Sequence, residues 1–217
     1  MRIVQRSDAW YAARRGKPTG SGAWRIMSTK RNGEPSAARE SYMIELLAER
    51  LTGQLTNHFE TEPMREGMRQ EPEAIQAYEF VTGEMVEPGY WIDKLTWGCT
   101  PDGFVGDDGI LSVKCPLPKN IIRQRYFEDA VEPEYYWQMV AEMAATDRAW
   151  CDLAIYSDQF SDPEHRIWIR RIDRDENAVA LFVEKLNEFL RELESKTEEI
   201  RKDYSDDFDS AFREQWL

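Results

Sequence analysis

With 217 residues the chain is long enough for a sizeable core and has no obvious linker, so we predict a single domain spanning residues 1–217. A hydrophobic content of 41%, with eight Trp, nine Tyr and nine Phe, excludes a disordered chain, and 32% of charged residues indicate a well-solvated surface. The net charge of −13 argues against loose, nonspecific binding to nucleic acid, because neutralisation of phosphates by Lys and Arg normally drives such binding.

Local sequence features exclude several further classes. No stretch approaches the roughly 20 apolar residues of a membrane span, and the start shows no apolar run followed by a cleavage site, so we expect a cytoplasmic protein without membrane contact. The three cysteines, Cys99, Cys115 and Cys151, are odd in number and widely spaced, which predicts reduced thiols that pack in the interior. His58 and His165 have no partner at ligand spacing, which argues against a zinc site or a Cys-His nucleophile.

Positive charge is concentrated at the start of the chain. Residues 1–50, which we term the basic island, hold ten Lys and Arg against five Asp and Glu, whereas the remainder holds 18 against 36. Such an island on an acidic protein can focus a polyanion into one groove, although the same cations can also simply solvate a surface. Within the island, residues 29–36 contain Gly33 and Pro35 and are predicted to form a mobile basic loop.

Hydrophobic spacing predicts helices and strands in a mixed order. Helices are expected at residues 37–51, ended by Gly53, and at residues 62–81, ended by Gly83. Strands are predicted at 85–92, 95–105 and 110–115, with a hairpin turn at residues 106–109. The remaining predicted elements are helices at 119–128 and 133–146, strands at 150–156 and 166–172, and a final helix with an apolar stripe over residues 179–193. This order indicates a mixed α/β fold with a central mixed β-sheet flanked by helices, rather than a doubly wound parallel sheet.

A compact polar cluster is predicted around the strand after the hairpin turn. Because side chains alternate along a strand, Ser112 and Lys114 share one face while Leu111 and Val113 point the other way, into the core. Asp102 lies on the partner strand, across the tight turn, where it can approach Ser112. A D-x₉-S-x-K string is weak evidence by itself, because a buried Lys near an Asp is often only a structural ion pair.

The segment from Pro101 to Lys114 resembles the PD-(D/E)xK nuclease signature, with Ser112 in place of the acidic residue of the last triplet. In that chemistry two carboxylates and the carbonyl of the intervening residue hold Mg²⁺, for which Mn²⁺ can substitute. The metal activates a water and neutralises charge on the scissile phosphate, while the Lys orients or activates that water. We therefore expect a metal site at Asp102, position 112 and the Val113 carbonyl, and a water-placing role for Lys114.

Two helical side chains can add to this cluster, namely Glu71 from the second predicted helix and Gln138 beside a run of aromatic residues. Each has an ordinary interpretation as well. A Glu on a helix surface is commonplace, and Gln138 could simply cap or pack.

In combination, these motifs resemble the phage-lambda-type alkaline exonucleases, the YqaJ-like viral recombinase family, over nearly the whole chain. Residues 10–21 are similar to the family's W-x-x-x-R-x-G-x-x-T-x-S opening, and residues 67–71 to its G-x-x-x-E helix. Residues 100–103 and 111–116 resemble its S-P-D-G and L-E-L-K-C-P blocks, Gln138 matches a helical Gln, and the tail at 212–216 is also similar.

The resemblance implies a restriction-endonuclease-like core and a 5′ to 3′ exonuclease that digests linear double-stranded DNA to leave 3′ overhangs for recombination by strand annealing. It also implies a ring-shaped homotrimer, a partner single-strand annealing protein, and a phage or prophage gene expressed in a bacterial cell. By the same resemblance Arg14 and Ser21 bind the terminal 5′ phosphate, Glu71 supports the metal site and Gln138 orients it.

Two further residues are candidates for DNA contact on physical grounds. Arg31, on the predicted mobile loop, could enter a groove, and Met64, a flexible apolar side chain before the G-x-x-x-E helix, could part an end base pair.

Ser112 departs from the family pattern at a metal-binding position. Removal of a group with a direct catalytic role commonly lowers the rate by on the order of 10² to 10⁴, so we expect a catalytically impaired chain. Asp107 and Asp108 lie at the turn tip and are poorly placed to compensate. Ser112 is then either a laboratory substitution or a natural variant, and the alternative functions are a noncatalytic DNA-end-binding protein of the same fold and an acidic protein-interaction domain.

Overall fold

The computed structural model describes residues 2–56 and 61–211, with side chains described as far as residue 203. The predictions for His58 and for the tail at 212–216 lie outside the described residues. None of the described helices combines the length and the apolar character that a membrane span requires.

Helices and short strands alternate in the mixed order that the sequence predicts. The helices are α1 (Asp8–Arg14), α2 (Ala23–Met27), α3 (Ala37–Thr52), α4 (Glu62–Thr82), α5 (Pro118–Ile122), α6 (Pro133–Thr146) and α7 (Glu176–Ala211). The strands are β1 (Val86–Pro88), β2 (Ile92–Asp93), β3 (Gly98–Cys99), β4 (Gly103–Val105), β5 (Gly109–Lys114), β6 (Trp150–Tyr156) and β7 (Ile167–Asp173). A 3₁₀ turn at Gly20–Gly22 precedes α2, and a π-helical turn at Arg123–Glu128 follows α5.

Five strands form one mixed sheet in the order β1-β4-β5-β6-β7, and β2 pairs with β3 separately. Strand β5 pairs antiparallel with β4 and parallel with β6, whereas the other neighbours in the sheet are antiparallel. This topology confirms the predicted mixed α/β fold. The parallel pair needs a crossover, and α5 and α6 provide it.

Each face of the sheet is covered by a different helix. On one face, Ile110 of β5 and Leu153 of β6 pack in one cluster with Met139 and Met143 of α6. On the other face, Leu111 and Val113 of β5 pack with Ala74 and Tyr78 of α4. Alternation along β5 therefore directs residues 110, 112 and 114 towards α6, and residues 111 and 113 towards α4.

Strand boundaries are where the sequence-based assignment was least accurate. The predicted strand 95–105 is split into β3 and β4, because Pro101 between them has no N–H to donate to a neighbouring strand. The short helices α1 and α2 were not predicted, and α7 extends well beyond the predicted stripe. Residues 29–36 form a closed turn, in which Thr29 pairs with Pro35 and the Lys30 N–H donates to the Glu34 carbonyl over 2.8 Å.

The cysteines are reduced, as predicted. Cys99 and Cys151 are buried, Cys115 is partly buried, and all three are free thiols. Burial raises the pKa of each thiol, which keeps it protonated and unreactive at neutral pH.

Candidate active site

Asp102 is tied to β5 at two points. Its backbone N–H donates to the Leu111 carbonyl over 3.1 Å, and its carboxylate accepts a hydrogen bond of 2.7 Å from the Val113 N–H. Burial raises the pKa of Asp102, and the positive charge of Lys114 opposes that shift. The carboxylate predicted from the sequence as a metal ligand is thus fixed beside the strand that carries Ser112 and Lys114.

Lys114 ends β5 on the side of the sheet that α6 covers. Its ammonium nitrogen lies 5.6 Å from the ring centroid of Tyr135, in the first turn of α6. Its charge acts on both Asp102 and Glu142, which places Lys114 among the carboxylates of the cluster. A Lys in this position can donate a hydrogen bond to a water held by those carboxylates.

Ser112 is completely buried, with 0% of its surface exposed, and its hydroxyl oxygen has no hydrogen-bond partner. In the register of the sheet it lies beside Leu153, which belongs to the apolar cluster under α6. A buried hydroxyl without a partner costs about 1 to 3 kcal/mol. Position 112 therefore holds an unsatisfied polar atom in the middle of the predicted metal site.

Glu142 of α6 is the site residue that sequence reasoning missed. It is 1% exposed, and one of its oxygens accepts a hydrogen bond of 2.8 Å from the Gln138 side chain, whereas Oε2 has no partner. Burial and the nearby charge of Asp102 raise the pKa of Glu142 to about 8, while Lys114 and Gln138 act in the opposite direction. One signal was available in the sequence, namely a lone acidic residue within the apolar stretch from Met139 to Ala145.

Glu71 and Gln138 reach the cluster in different ways. Glu71, on α4, forms an ion pair of 2.6 Å with Arg6, and its negative charge acts on Asp102 and Cys115. Gln138, predicted to orient the site, donates its side-chain amide to Glu142 and not to Asp102. Any orienting effect of Gln138 is thus exerted through Glu142.

The donor set fits a hard divalent cation. Glu71 and Glu142 each interact electrostatically with Asp102, and carboxylate and carbonyl oxygens are the ligands that Mg²⁺ and Mn²⁺ prefer. The unpartnered oxygens of Ser112 and Glu142 are buried polar atoms that a hydrated ion would satisfy. Among the side chains described, those of residues 2–56 and 61–203, no three His, Cys, Asp or Glu residues are already close enough together to form a ready-made cage.

The predicted phosphate-binding residues, Arg14 and Ser21, are linked indirectly through Thr19 and Tyr42. Arg14, in the last turn of α1, stacks its guanidinium over the Trp10 ring at 3.9 Å, and burial lowers its pKa. Ser21 is exposed in the 3₁₀ turn, where its hydroxyl lies 3.2 Å from that of Thr19. Tyr42 connects the two, because its hydroxyl accepts from the Thr19 N–H over 2.9 Å and interacts electrostatically with Arg14.

The 3₁₀ turn at Gly20–Gly22 packs tightly between Tyr42 and Glu142. A Cβ atom at Gly22 would lie 2.2 Å from the Tyr42 hydroxyl oxygen, and one at Gly20 would lie 3.7 Å from a Glu142 carboxylate oxygen. Glycine at both positions permits this close approach. The turn that carries Ser21 consequently lies against Glu142.

Most of the basic island is neutralised by ion pairs. Seven of its ten cations lie within 4 Å of a carboxylate: Arg2, Arg6, Lys17, Arg25, Lys30, Arg39 and Arg50. The three cations of residues 2–50 that make no such pair with a described carboxylate are Arg14, Arg15 and Arg31. The positive charge left for a polyanion is therefore concentrated on these three residues.

Arg31 and Met64 lie outside the cluster. Arg31 is exposed on the closed turn, and Met64 is 52% exposed in the first turn of α4. No contact described in the structure joins either residue to Asp102, Lys114 or Arg14.

The chain is similar to known proteins in sequence pattern and in fold. A family model described as a YqaJ-like viral recombinase domain matches residues 9–149. An alkaline exonuclease from Laribacter hongkongensis is 33% identical, with a TM-score of 0.84 over 92% of this chain and 99% of that one. The structure of this exonuclease in complex with dAMP has the same identity, coverage and TM-score.

A phage-related exonuclease from Haemophilus somnus 129PT is 16% identical, with a TM-score of 0.68 over 86% of this chain and 96% of that one, a likeness of fold alone. No curated protein sequence matches the chain.

Proposed function

The chain belongs to the YqaJ-like viral recombinase family and has the fold of a nuclease, and from this premise we propose that it is a Mg²⁺-dependent 5′ to 3′ exonuclease. Its substrate would be linear double-stranded DNA, and its products would carry 3′ single-stranded overhangs. The observation that carries the proposal is the fixation of the Asp102 carboxylate on the Val113 amide, in the strand that ends in Lys114.

The proposed metal ligands are the Asp102 carboxylate and the Val113 carbonyl, with Glu71 acting on Asp102 through its charge. A bound Mg²⁺, or Mn²⁺ in its place, supplies an activated water and neutralises charge on the scissile phosphate. Lys114 orients the attacking water through its ammonium group. Gln138 holds the Glu142 carboxylate in place.

Binding of a 5′ phosphate at Arg14 and Ser21 explains why the reaction would begin at a strand end. Arg14 has no carboxylate partner in the described part of the chain, so its guanidinium is available for bidentate contact with a phosphate. The turn that carries Ser21 packs against Glu142. A terminal phosphate held there would direct the following phosphodiester bond towards Asp102 and Lys114.

The proposal includes the other expectations from the family resemblance. Arg31 would contact a groove of the duplex, and Met64 would contact the end base pair. The protein would act as a ring-shaped homotrimer with a single-strand annealing protein, in the cytoplasm of a bacterial cell.

The test is digestion of linear duplex DNA that carries a 5′ phosphate and a label on either end of one strand. We expect nucleotides to be released from the 5′ end in Mg²⁺, no release in EDTA, and no cleavage of a closed circular duplex. Asp102→Asn and Lys114→Ala should each lower the rate by on the order of 10² or more. Release from the 3′ end first would contradict the proposed polarity.

Ser112 supports a second candidate function, a DNA-end-binding protein that does not cleave. Strand β5 has no carboxylate at position 112, so the strand by itself lacks one metal ligand. This missing ligand is the basis of the sequence-based prediction of an impaired enzyme. The same assay with Ser112→Glu separates the candidates. An end-binding protein stays inert with Glu at this position, whereas an impaired nuclease gains activity.

A further inference from the structure

We infer that Glu142 replaces the carboxylate that β5 lacks at position 112, so that the metal site is completed from helix α6 instead of from the strand. This inference rests on the proposed metal-dependent function and identifies a ligand that the sequence motif does not contain. It also predicts that the chain, with Ser112, is an active enzyme.

A short, buried side chain occupies position 112 of β5. Ser112 lies between Ile110 and Lys114 on the face of β5 that α6 covers, and it is fully buried. Its side chain is two heavy atoms shorter than one ending in a Glu carboxylate, and its hydroxyl has no partner. The element packed over this position is α6, so a side chain of α6 is placed to bring a carboxylate to it.

One face of α6 meets the sheet. Met139 and Met143 pack against Ile110 and Leu153, while Tyr135 lies under the Lys114 ammonium group. Glu142 follows Met139 by three residues and Tyr135 by seven, spacings that keep residues on one side of a helix. Glu142 therefore faces the strand that carries Ser112 and Lys114.

Hydrogen bonds satisfy only part of the Glu142 carboxylate. Gln138 satisfies one oxygen, but Oε2 is buried without a hydrogen bond, and no Lys or Arg forms an ion pair with Glu142 in the described part of the chain. Burial of a carboxylate oxygen without a partner is costly, and native structures rarely retain it without a reason. A divalent cation shared with Asp102 would satisfy this oxygen.

The proposed metal ligands match those of the strand motif in number and type. Glu142 interacts electrostatically with Asp102 and Lys114, the two charged residues that remain from the motif. Asp102, the Val113 carbonyl and Glu142 together restore two carboxylates and one carbonyl, the set that the strand motif alone would provide with Glu at position 112. The ligand set is unchanged in chemistry, and only the element that provides one carboxylate differs.

The inference is tested first by Mn²⁺ binding to the full-length, metal-free protein without DNA, measured by electron paramagnetic resonance and calorimetry. Glu142→Gln keeps the shape of the side chain and removes its ability to ionise and bind a cation. We expect it to weaken Mn²⁺ binding at least about 10-fold, because changes to residues that only support metal ligands already cost about 10- to 100-fold. Glu134→Gln, the same change at an exposed position of α6, should bind Mn²⁺ like the unmodified protein.

Rescue by relocation of the carboxylate tests the position of the ligand. The double variant Ser112→Glu/Glu142→Gln should regain both Mn²⁺ affinity and DNA cleavage, because it returns the carboxylate to the strand. A failure of this variant to regain Mn²⁺ affinity, with thermal unfolding showing an intact fold, would refute the replacement. Unfolding in EDTA at neutral pH should give Glu142→Gln a melting temperature no lower than that of the unmodified protein.

The remaining outcomes separate this inference from the proposed function. Cleavage and Mn²⁺ binding that are unchanged in Glu142→Gln overturn the inference and leave the nuclease assignment intact. The same holds if the unmodified chain is inert and Ser112→Glu is active. If neither cleaves DNA in Mg²⁺ or Mn²⁺, the proposed function fails, and Glu142-dependent Mn²⁺ binding still decides whether Glu142 is a ligand.

Discussion

Gln138 donates a hydrogen bond of 2.8 Å to one carboxylate oxygen of Glu142 and leaves the other oxygen buried without a partner. The two residues are one helical turn apart in α6, so the contact is local and α6 can hold it in place before any ligand binds. The result is a pre-positioned acidic group that interacts electrostatically with Asp102 and Lys114. Ionisation of this buried group destabilises the metal-free protein, so its stability should depend measurably on pH.

We predict that the metal-free protein loses stability between about pH 4.5 and pH 8 because of Glu142. Its pKa is raised from 4.5 to about 8 in the folded state, mainly by burial, with Asp102 and Lys114 as its charged neighbours. The folded state therefore binds the proton more tightly than the unfolded state does. The stabilisation that results is complete below pH 4.5 and is lost as the pH rises through 8. The loss is on the order of 5 kcal/mol at most.

Urea unfolding in EDTA at pH 5.5 and pH 8.5 measures this effect. Glu142→Gln should lose less stability between the two values than the unmodified protein, because an amide has no proton to release. Parallel pH curves for the two proteins would show that Glu142 does not titrate in this range.

Arg14→Ala is predicted to remove the preference for a phosphorylated 5′ end. A hydrogen bond to a charged group contributes about 1.5 to 3 kcal/mol, so affinity for phosphorylated ends should fall by about 10- to 100-fold. Affinity for unphosphorylated ends should fall much less. Fluorescence anisotropy in EDTA, which prevents cleavage, gives both dissociation constants.

Arg15→Ala is the matched control for this measurement, because Arg15 is the adjacent cation and likewise makes no ion pair in the described residues. Loss of a nonspecific positive charge should weaken binding to both kinds of end equally. An equal loss for both ends in Arg14→Ala would remove Arg14 from the phosphate site.

Gly22→Ala is predicted to destabilise the protein and to displace the turn that carries Ser21. The added methyl group would lie 2.2 Å from the Tyr42 hydroxyl oxygen, which accepts the Thr19 N–H. Overpacking of this kind costs about 1 to 3 kcal/mol, measurable by chemical denaturation. Phosphorylated-end affinity should fall as well.

Gly67→Ala serves as the comparison for Gly22→Ala. A Cβ atom at this position of α4 meets its nearest neighbour only at 3.9 Å, so the change should be neutral or stabilising by up to about 1 kcal/mol. If Gly22→Ala is equally well tolerated, Tyr42 does not constrain the turn.

Arg171→Met is predicted to lower stability without changing activity per folded molecule. Arg171 makes two hydrogen bonds of 2.8 Å to Asp152, a buried carboxylate that also accepts one of 2.7 Å from Tyr78, on the face of the sheet remote from α6. Leaving a buried charge unpaired commonly costs about 3 to 5 kcal/mol. Because the Arg171 side chain is 50% exposed, we expect a smaller loss, about 2 kcal/mol.

Arg170→Met is the neighbouring control. Arg170 pairs with Asp129, which is almost fully exposed, and exposed ion pairs contribute only about 0 to 1 kcal/mol. Stability losses of equal size in the two variants would show that the buried network around Asp152 is not what stabilises this face.

The sequence predicted the family, the mixed α/β order and the polar residues of β5, because these depend on local relationships. Asp102 and Ser112 are ten residues apart across one tight turn, and the two-residue repeat of a strand then fixes the side on which Lys114 lies. The errors of the sequence-based prediction also have local causes. The division of one predicted strand into β3 and β4 depends on Pro101, and the short helices α1 and α2 have too few residues to show a periodic pattern.

Two features were decided only by the tertiary structure. The basic island contains ten cations, but partners as distant as Glu192 for Arg39 and Glu194 for Arg50 neutralise most of it, and sequence composition does not report such pairings. Glu142 is likewise a lone acidic residue in an apolar run until α6 packs on the sheet beside Ser112 and Lys114. Local spacing determines which side of an element a residue occupies. Which distant side chain it then faces depends on how separate elements pack against one another.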